Sequence, residues 1–208
     1  MAYRRTPAVQ ARLDAQRAAV LQAAVALLAE RGYAGCSVAA VAERAGIATG
    51  SMYRHFAGKS DLAVELFRTV VGREVAAVTE ALAREETPQR RVAAVVETFA
   101  ARALKAPRRA YALLAEPVDP VVDAERLVFR RAFRDVIATQ IAAAVDSGEL
   151  PPQDAELTAA ALVGAIGEAL VGPLAAGDPG DTIPALTAFA LRALGAPEAA
   201  PAHRAAQH

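Results

Sequence analysis

Apolar residues recur at helical spacing along nearly the whole chain, and Pro and Gly punctuate them. Between Asp14 and Glu30 the positions Val20, Leu21, Ala24, Leu27 and Leu28 make one apolar stripe, and Gly32 ends the helix. Val38, Val41, Ala42 and Ala45 repeat at i, i+3, i+4 and i+7 and predict a short second helix. Ser37 stands ahead of it, where a hydroxyl can accept from the free amides of the first turn. Gly46 and Ile47 follow, and a third helix starts near Ala48 or Thr49, carrying Met52, Tyr53 and Phe56. The fourth runs from Asp61 to Arg84, capped by Ser60 or Asp61. Beyond it the pattern predicts helices over Pro88–Lys105, Arg108–Leu114, Val121–Ser147, Asp154–Gly172 and Thr182–Ala193. Alternating β-branched runs are missing, so the predicted fold class is all-α. The first ten residues and the Ala/Pro-rich tail from Gly195 are predicted to be disordered.

Composition narrows this only slightly. At 208 residues and 54% apolar, the chain is long enough for one or two domains with a sizeable core. A single cysteine, Cys36, excludes an intramolecular disulfide, fits a cytoplasmic setting, and reads as a small buried residue. With no CxxC pair and three histidines (His55, His203, His208), neither a metal site nor a cofactor is expected. The longest apolar stretch, Ala159 to Ala176, is interrupted by Glu168 and Pro173 and reads as a poor membrane span. No secretory signal is visible at the amino terminus.

Charge changes the picture more. The formal net charge is zero, but residues 1–60 hold eight basic side chains and three acids, a balance of +5. The remainder therefore carries −5. A basic head on an acidic body suggests a polyanion partner at the head, although such asymmetries also arise as ordinary solvated faces.

Two short helices around Gly46 form a helix-turn-helix pattern. Ala42, four residues before Gly46, lets the helices cross closely, and Ile47 and Met52 bury against Val38 and Val41. Thr49, Gly50, Ser51, Tyr53 and His55 are left facing outward. Short side chains near the start of a helix can approach base edges, while hydroxyl and imidazole groups serve phosphates. Lys59, ahead of the next helix, adds a charge beside free amides. The same residues have plainer uses: Tyr53 as a half-buried core aromatic, His55 as a surface histidine.

The run from Gly32 to Phe67, GYAGCSVAAVAERAGIATGSMYRHFAGKSDLAVELF, resembles the DNA-binding domain of TetR/AcrR-type transcriptional regulators, and AGIATGSMYRHFAGK (Ala45–Lys59) is its most specific part. The resemblance implies a three-helix DNA-binding domain over residues 13–72, with the helix-turn-helix at 37–56. It implies a ligand-binding and dimerisation bundle over 73–195 and a tail over 196–208. By the same resemblance Ser37 caps its helix and meets a phosphate. Ala39 occupies a position that in some relatives holds a base-reading arginine, a reach alanine lacks. Thr49, Gly50 and Ser51 face bases, while Tyr53, His55 and Lys59 contact phosphates. Ala48 stands where many relatives have a capping Ser or Thr. Arg4 and Arg5 would form a basic arm.

The acidic body is harder to read. Phe99, Tyr111, Phe129 and Phe133 would line an apolar cavity, with Glu97, Arg102, Gln140 and Glu168 supplying polar groups; the same aromatics also fit a plain core. The arginines at 108, 109, 130, 131 and 134 read as solvated faces that offset nearby acids. Leu162, Val163, Ile166 and Leu170, with Leu186, Phe189 and Ala190 of the next helix, would form half of a four-helix dimer interface, aided by Gly164 and Gly167. These residues also fit a role closing the chain's own core. The expectation is a homodimeric repressor on a palindromic operator in double-stranded DNA, released by a largely apolar small-molecule effector. An activator of the same fold, a helical-bundle enzyme and a protein-interaction module are the rivals. The enzyme lacks any nucleophile–base constellation, phosphate-binding glycine loop or metal-ligand spacing.

Overall fold

A computed structural model describes residues 7–177 and 180–195, and within them the chain forms nine helices and no strand. They are α1 (Pro7–Arg31), α2 (Val38–Arg44), α3 (Thr49–Met52), α4 (Lys59–Leu82), α5 (Pro88–Lys105), α6 (Pro107–Leu114), α7 (Pro120–Asp146), α8 (Ala155–Ala176) and α9 (Thr182–Ala193). Local chemistry sets several boundaries. Thr87 accepts the Arg90 amide ahead of α5, and Pro88 fills a first-turn position that needs no N–H. Asp154 accepts the Leu157 amide and opens α8.

Several boundaries differ from the sequence expectation, most of them by one or two residues. Helix α1 starts at Pro7, so residues 7–10 are helical; Pro7 suits a first turn and Gln10 bonds Asp14 one turn on. Residues 1–6, including Arg4 and Arg5, and residues 196–208 lie outside the described residues. Helix α3 is a single turn, and Phe56 is buried in the segment beyond it. Helix α4 begins at Lys59, with Gly58 as its cap, and Asp61 reaches back from the first turn to accept the Ala57 amide. Helix α8 continues through Pro173 to Ala176, where Gly177 adopts a left-handed φ of 71° and donates to the Pro173 carbonyl. Burial of Leu174 holds that last turn in the body.

Two cores result. The head core joins Val20, Leu27, Leu28, Val41, Met52, Phe56, Leu66 and Phe67. It is completed by Ala112 and Leu113 of α6 and Val122 of α7. The body core joins Val78, Val92, Val96, Phe129, Phe133, Ile137, Leu162, Leu170 and Leu194. Helix α4 contributes to both, Leu62 to Val70 in the head and Val78 in the body. Helix α7 packs on α8 and α4, α5 on α9 and α4, and α6 on α8 and α1.

The expected dimer face is corrected by this packing. Leu162, Ile166, Leu170, Leu186 and Ala190 are buried in the chain's own core, and Val163 is half-buried beside it. Of that set only Phe189, 39% exposed, stands at the surface. Helix α8 is apolar on both sides, and its larger residues take the inside. Its outer side carries Leu157, 68% exposed, with Ala160, Ala161, Gly164 and Glu168, and α9 adds Ala185 and Phe189. Gly164 has open space where a β-carbon would stand, whereas Gly167 faces Leu114 of α6. By length and composition α8, with a mean hydropathy of 1.7, could cross a membrane; here it lies against α5, α6, α7 and α9.

Candidate nucleic-acid interface and effector cavity

The helix-turn-helix is assembled by a few short bonds. Ser37 is extended and its hydroxyl accepts the Ala40 amide at 3.1 Å, opening α2. At the other end Gly46 sits at φ 68°, a conformation that a β-carbon disfavours. Its amide donates to Glu43, and the next amide, of Ile47, donates to Ala42 at 3.0 Å. Val41, Ala42 and Met52 are buried at the crossing. Ala48 caps α3 with no side-chain bond, consistent with its departure from the usual capping residue.

This scaffold turns Ala39, Thr49, Gly50 and Tyr53 outward, with Tyr53 60% exposed between buried Met52 and Phe56. Ser51 is half-buried and its hydroxyl accepts from Arg54 at 2.6 Å. Exposed Arg54 therefore belongs to this surface, although no motif singled it out; a basic residue beside two outward positions was the available signal. His55 is less outward than expected. It is half-buried, with Nε2 3.0 Å from the Gln16 side-chain oxygen on α1. Lys59 is exposed; its Nζ lies 5.3 Å from the Tyr33 ring centre and 3.7 Å from Asp119 Oδ2. Other head arginines are committed: Arg44 to Glu30 through two bonds, Arg17 to Glu65 and over the Phe56 ring.

The head is held to the body by carboxylates of the α6–α7 loop. Glu116 accepts the Tyr33 and Ala34 amides at 2.8 and 3.0 Å, and Asp119 accepts the Tyr33 hydroxyl at 2.7 Å. Burial and that bond push the Tyr33 phenol far above its ordinary range. Arg108 donates to the Glu30 carbonyl, and Arg126 donates to the Ala112 and Glu116 carbonyls, fixing the corner. Cys36 is buried beside this joint, and burial, with Glu116 second, pushes its thiol up to about 11. Sequence reading missed the joint because its acids lie more than eighty positions from the amides they cap.

Inside the body, Phe99, Phe129 and Phe133 meet with ring centres 4.8 to 6.4 Å apart. They line an apolar cavity of about 40 Å³ with Val95, Val96, Leu114, Ile137, Val163, Ile166 and Gly167, and Arg130 is the one charged residue on its wall. Val163 and Ile166, expected at a dimer seam, are thus cavity residues. A smaller void of about 10 Å³ adjoins it, lined by Glu74, Arg102, Arg109 and Leu113 among others. The remaining expected polar lining lies elsewhere. Glu97 is 3.9 Å from Arg90, Gln140 accepts from Arg91, and Glu168 is exposed on α8. Tyr111 lines a separate open cleft of about 420 Å³ with Arg31, Arg108, Glu116 and Leu174. Arg134 offsets the exposed acids Asp135 and Glu156, as expected, whereas Arg108 serves the joint and Arg109 faces the buried Glu74. Among the described residues no group of three or more His, Cys, Asp or Glu could hold a metal ion.

Comparison with known proteins agrees with this geometry. Residues 20–66 match the family described as bacterial regulatory proteins, tetR family. The fatty acid metabolism regulator protein of Bacillus subtilis (strain 168) is 31% identical over 77 residues, covering 37% of this chain and 40% of that protein. The HTH-type transcriptional repressor KstR2 of Mycobacterium tuberculosis (strain H37Rv) is 40% identical over 60 residues, 29% of this chain and 30% of its own. The chain thus aligns with well under half the length of these curated relatives. In fold the likeness spans both parts. The crystal structure of the transcriptional regulator FadR from Bacillus subtilis, in complex with stearoyl-CoA, superposes with a TM-score of 0.73 at 22% identity. It covers 85% of this chain and 96% of that one.

Proposed function

Because the chain belongs, through its head, to the tetR family of bacterial regulatory proteins, we propose that it is a ligand-responsive DNA-binding regulator, a homodimeric repressor working in the cytoplasm. The observation that carries this reading is the single-turn α3, which buries Met52 while presenting Thr49, Gly50 and Tyr53, with Lys59 at the start of α4. Thr49, Gly50 and Ser51 read base edges. Tyr53, Lys59, Ser37 and the missed Arg54 hold phosphates; Ala39 is too short to add more than contact. His55 positions the surface through Gln16 and meets the backbone from its edge.

Two copies join through the outer side of α8 and α9, where Ala160, Ala161 and Gly164 let backbones approach and Leu157 and Phe189 gain cover. The two-fold axis places two reading helices in successive major grooves, roughly 34–36 Å apart, and calls for a palindromic operator. The effector enters the aromatic cavity, whose apolar lining favours an apolar body; the Bacillus subtilis regulator solved with stearoyl-CoA supports such a class. About 40 Å³ is far below the roughly 150 Å³ that admits a benzene ring, so a ligand binds only by parting α5, α7 and α8. Helix α6 carries Leu114 on the cavity wall and leads to Glu116 at the joint, so the parting reaches the head. The effector weakens DNA binding by as much as it prefers the parted state.

Gel shift against the promoter next to its own gene tests this. A salt-sensitive, sequence-specific complex is expected, and replacing Tyr53 and Lys59 by Ala together weakens it about 10–100-fold while flattening the salt dependence. A folded dimer that forms no such complex refutes the reading. Activation rather than repression is the same mechanism with the operator placed differently, and promoter-fusion assays separate the two.

A further inference from the structure

Glu74 of α4 is 7% exposed in its side chain, inside a protein wall rather than at the surface. Arg102 of α5 meets its carboxylate with two bonds, Nε at 2.5 Å and Nη2 at 3.0 Å. Arg109 of α6 stands 3.5 Å from the same carboxylate, 24% exposed. Three helices therefore converge on one acid, and the cluster holds two cations against one anion. The pairing is unequal as well. Arg102 has the bidentate geometry that guanidinium and carboxylate favour, whereas Arg109 has Glu74 alone as a charge partner among the described residues. A guanidinium carries five N–H donors, so most of the donor capacity of Arg109 is unused among the described residues.

The position of the cluster gives the surplus charge a meaning. The void beside it shares Phe99, Leu114 and Phe129 with the aromatic cavity, so these side chains stand between the charges and the apolar space. The wall of the aromatic cavity offers no acid. Apolar volume on one side and a partly satisfied arginine pair on the other match a molecule built the same way.

We propose that the joined voids form the binding site for an amphipathic organic anion, a hydrocarbon or aromatic body ending in a carboxylate. The body fills the aromatic cavity, and the carboxylate takes Arg109 and then Arg102 in place of Glu74. This rests on the cavity being the effector site, and it adds the ligand's charge and the residues that read it. The exchange is also a switch. Glu74 belongs to the helix that starts at Lys59 on the DNA-facing side, so losing its arginines unfastens α4 from α5 and α6. Ligand carboxylate and Glu74 compete for the same donors, so occupancy and the clasp exclude one another.

Calorimetric titration of the full chain with decanoate and decanol, matched in length and free of DNA, tests this. Decanoate is expected to bind about tenfold or more tighter than decanol. In Arg109→Met the two probes bind within about twofold of each other, because the unpaired guanidinium is gone. In Glu74→Gln, which keeps the side chain's shape and removes its charge, decanoate binds about fivefold tighter than to the parent. Equal binding of the two probes to the parent chain, no binding of either, or a preference for decanoate that survives Arg109→Met overturns the proposal. So does unchanged or weaker decanoate binding by a folded Glu74→Gln chain; if that variant does not fold, Arg109→Met decides. Failure of the regulator reading is seen separately, as the absence of a specific DNA complex in gel shift.

Discussion

In the head, Tyr53 is 60% exposed between Met52 at 1% and Phe56 at 3%; in the body, Phe129 and Phe133 both turn inward. The two regions are built from the same Ala- and Leu-rich helices, yet their working surfaces are opposite in kind. The head's surface depends on large and polar groups standing where a helix would ordinarily be idle. The body's cavity depends on apolar groups doing what core residues do anyway, with a small gap between them. The first kind of site can lose a side chain and keep its fold. The second cannot, because its lining is also its support.

The sharpest way to break that contrast is to cut a side chain from each region. Phe133→Ala is expected to lower unfolding stability by about 3–5 kcal/mol in urea denaturation, since two facing aromatics, Phe99 and Phe129, lose a partner. Tyr53→Ala is expected to stay within about 0.5 kcal/mol of the parent. Equal losses would show that the head surface is structural too.

Next in size is association. Ala161→Arg places a cation on the outer side of α8, which in the proposed dimer meets its own copy across the two-fold axis, at an expected cost of several kcal/mol in dimer stability. Light scattering should show monomers at micromolar concentration; an intact dimer would move the interface elsewhere.

The buried thiol offers a pH test of the joint. The Cys36 thiol is raised from about 9 to about 11 in the folded chain, so folded protein holds its proton where the unfolded chain has lost it. Its stabilising contribution is full below pH 9 and fades as pH rises to 11, a loss on the order of 1–3 kcal/mol. Denaturation curves of the parent and Cys36→Ala should diverge across that window, and iodoacetamide should label the folded parent slowly at pH 8. The smallest effect is expected at the carboxylate that holds the head–body joint. Glu116→Gln keeps one acceptor for the Tyr33 and Ala34 amides and removes the charge, costing about 1 kcal/mol in thermal unfolding.

The same contrast explains what could be read before any coordinates. Nearly all helices and their approximate limits follow from spacing, Gly and Pro, because those signals are local. Pro173 misled because the burial of Leu174 one residue later outweighs the missing amide. The head's surface was legible in Thr49, Gly50 and Tyr53, since small residues and an exposed aromatic, rather than long charged side chains, occupy the outer side of the turn. Phe99, Phe129 and Phe133 could be named, but lining and core are one chemistry, so no sequence pattern says where the gap falls. Glu97, Gln140 and Glu168 were chosen for polarity, while Glu74, the buried acid, looked like any charged residue on a long helix. Helix α8 has two apolar sides, and only packing could tell which holds Leu162 and Leu170.

Ala112, Leu113 and Val122 close the floor of the head from the body side. Anyone grafting this reader onto a different sensor would have to transplant that stretch along with the first sixty-odd residues. A fragment cut after α4 would expose a greasy underside and lose the acids that seal the turn after α1. In modular engineering, the exchangeable part here is a discontinuous piece of chain.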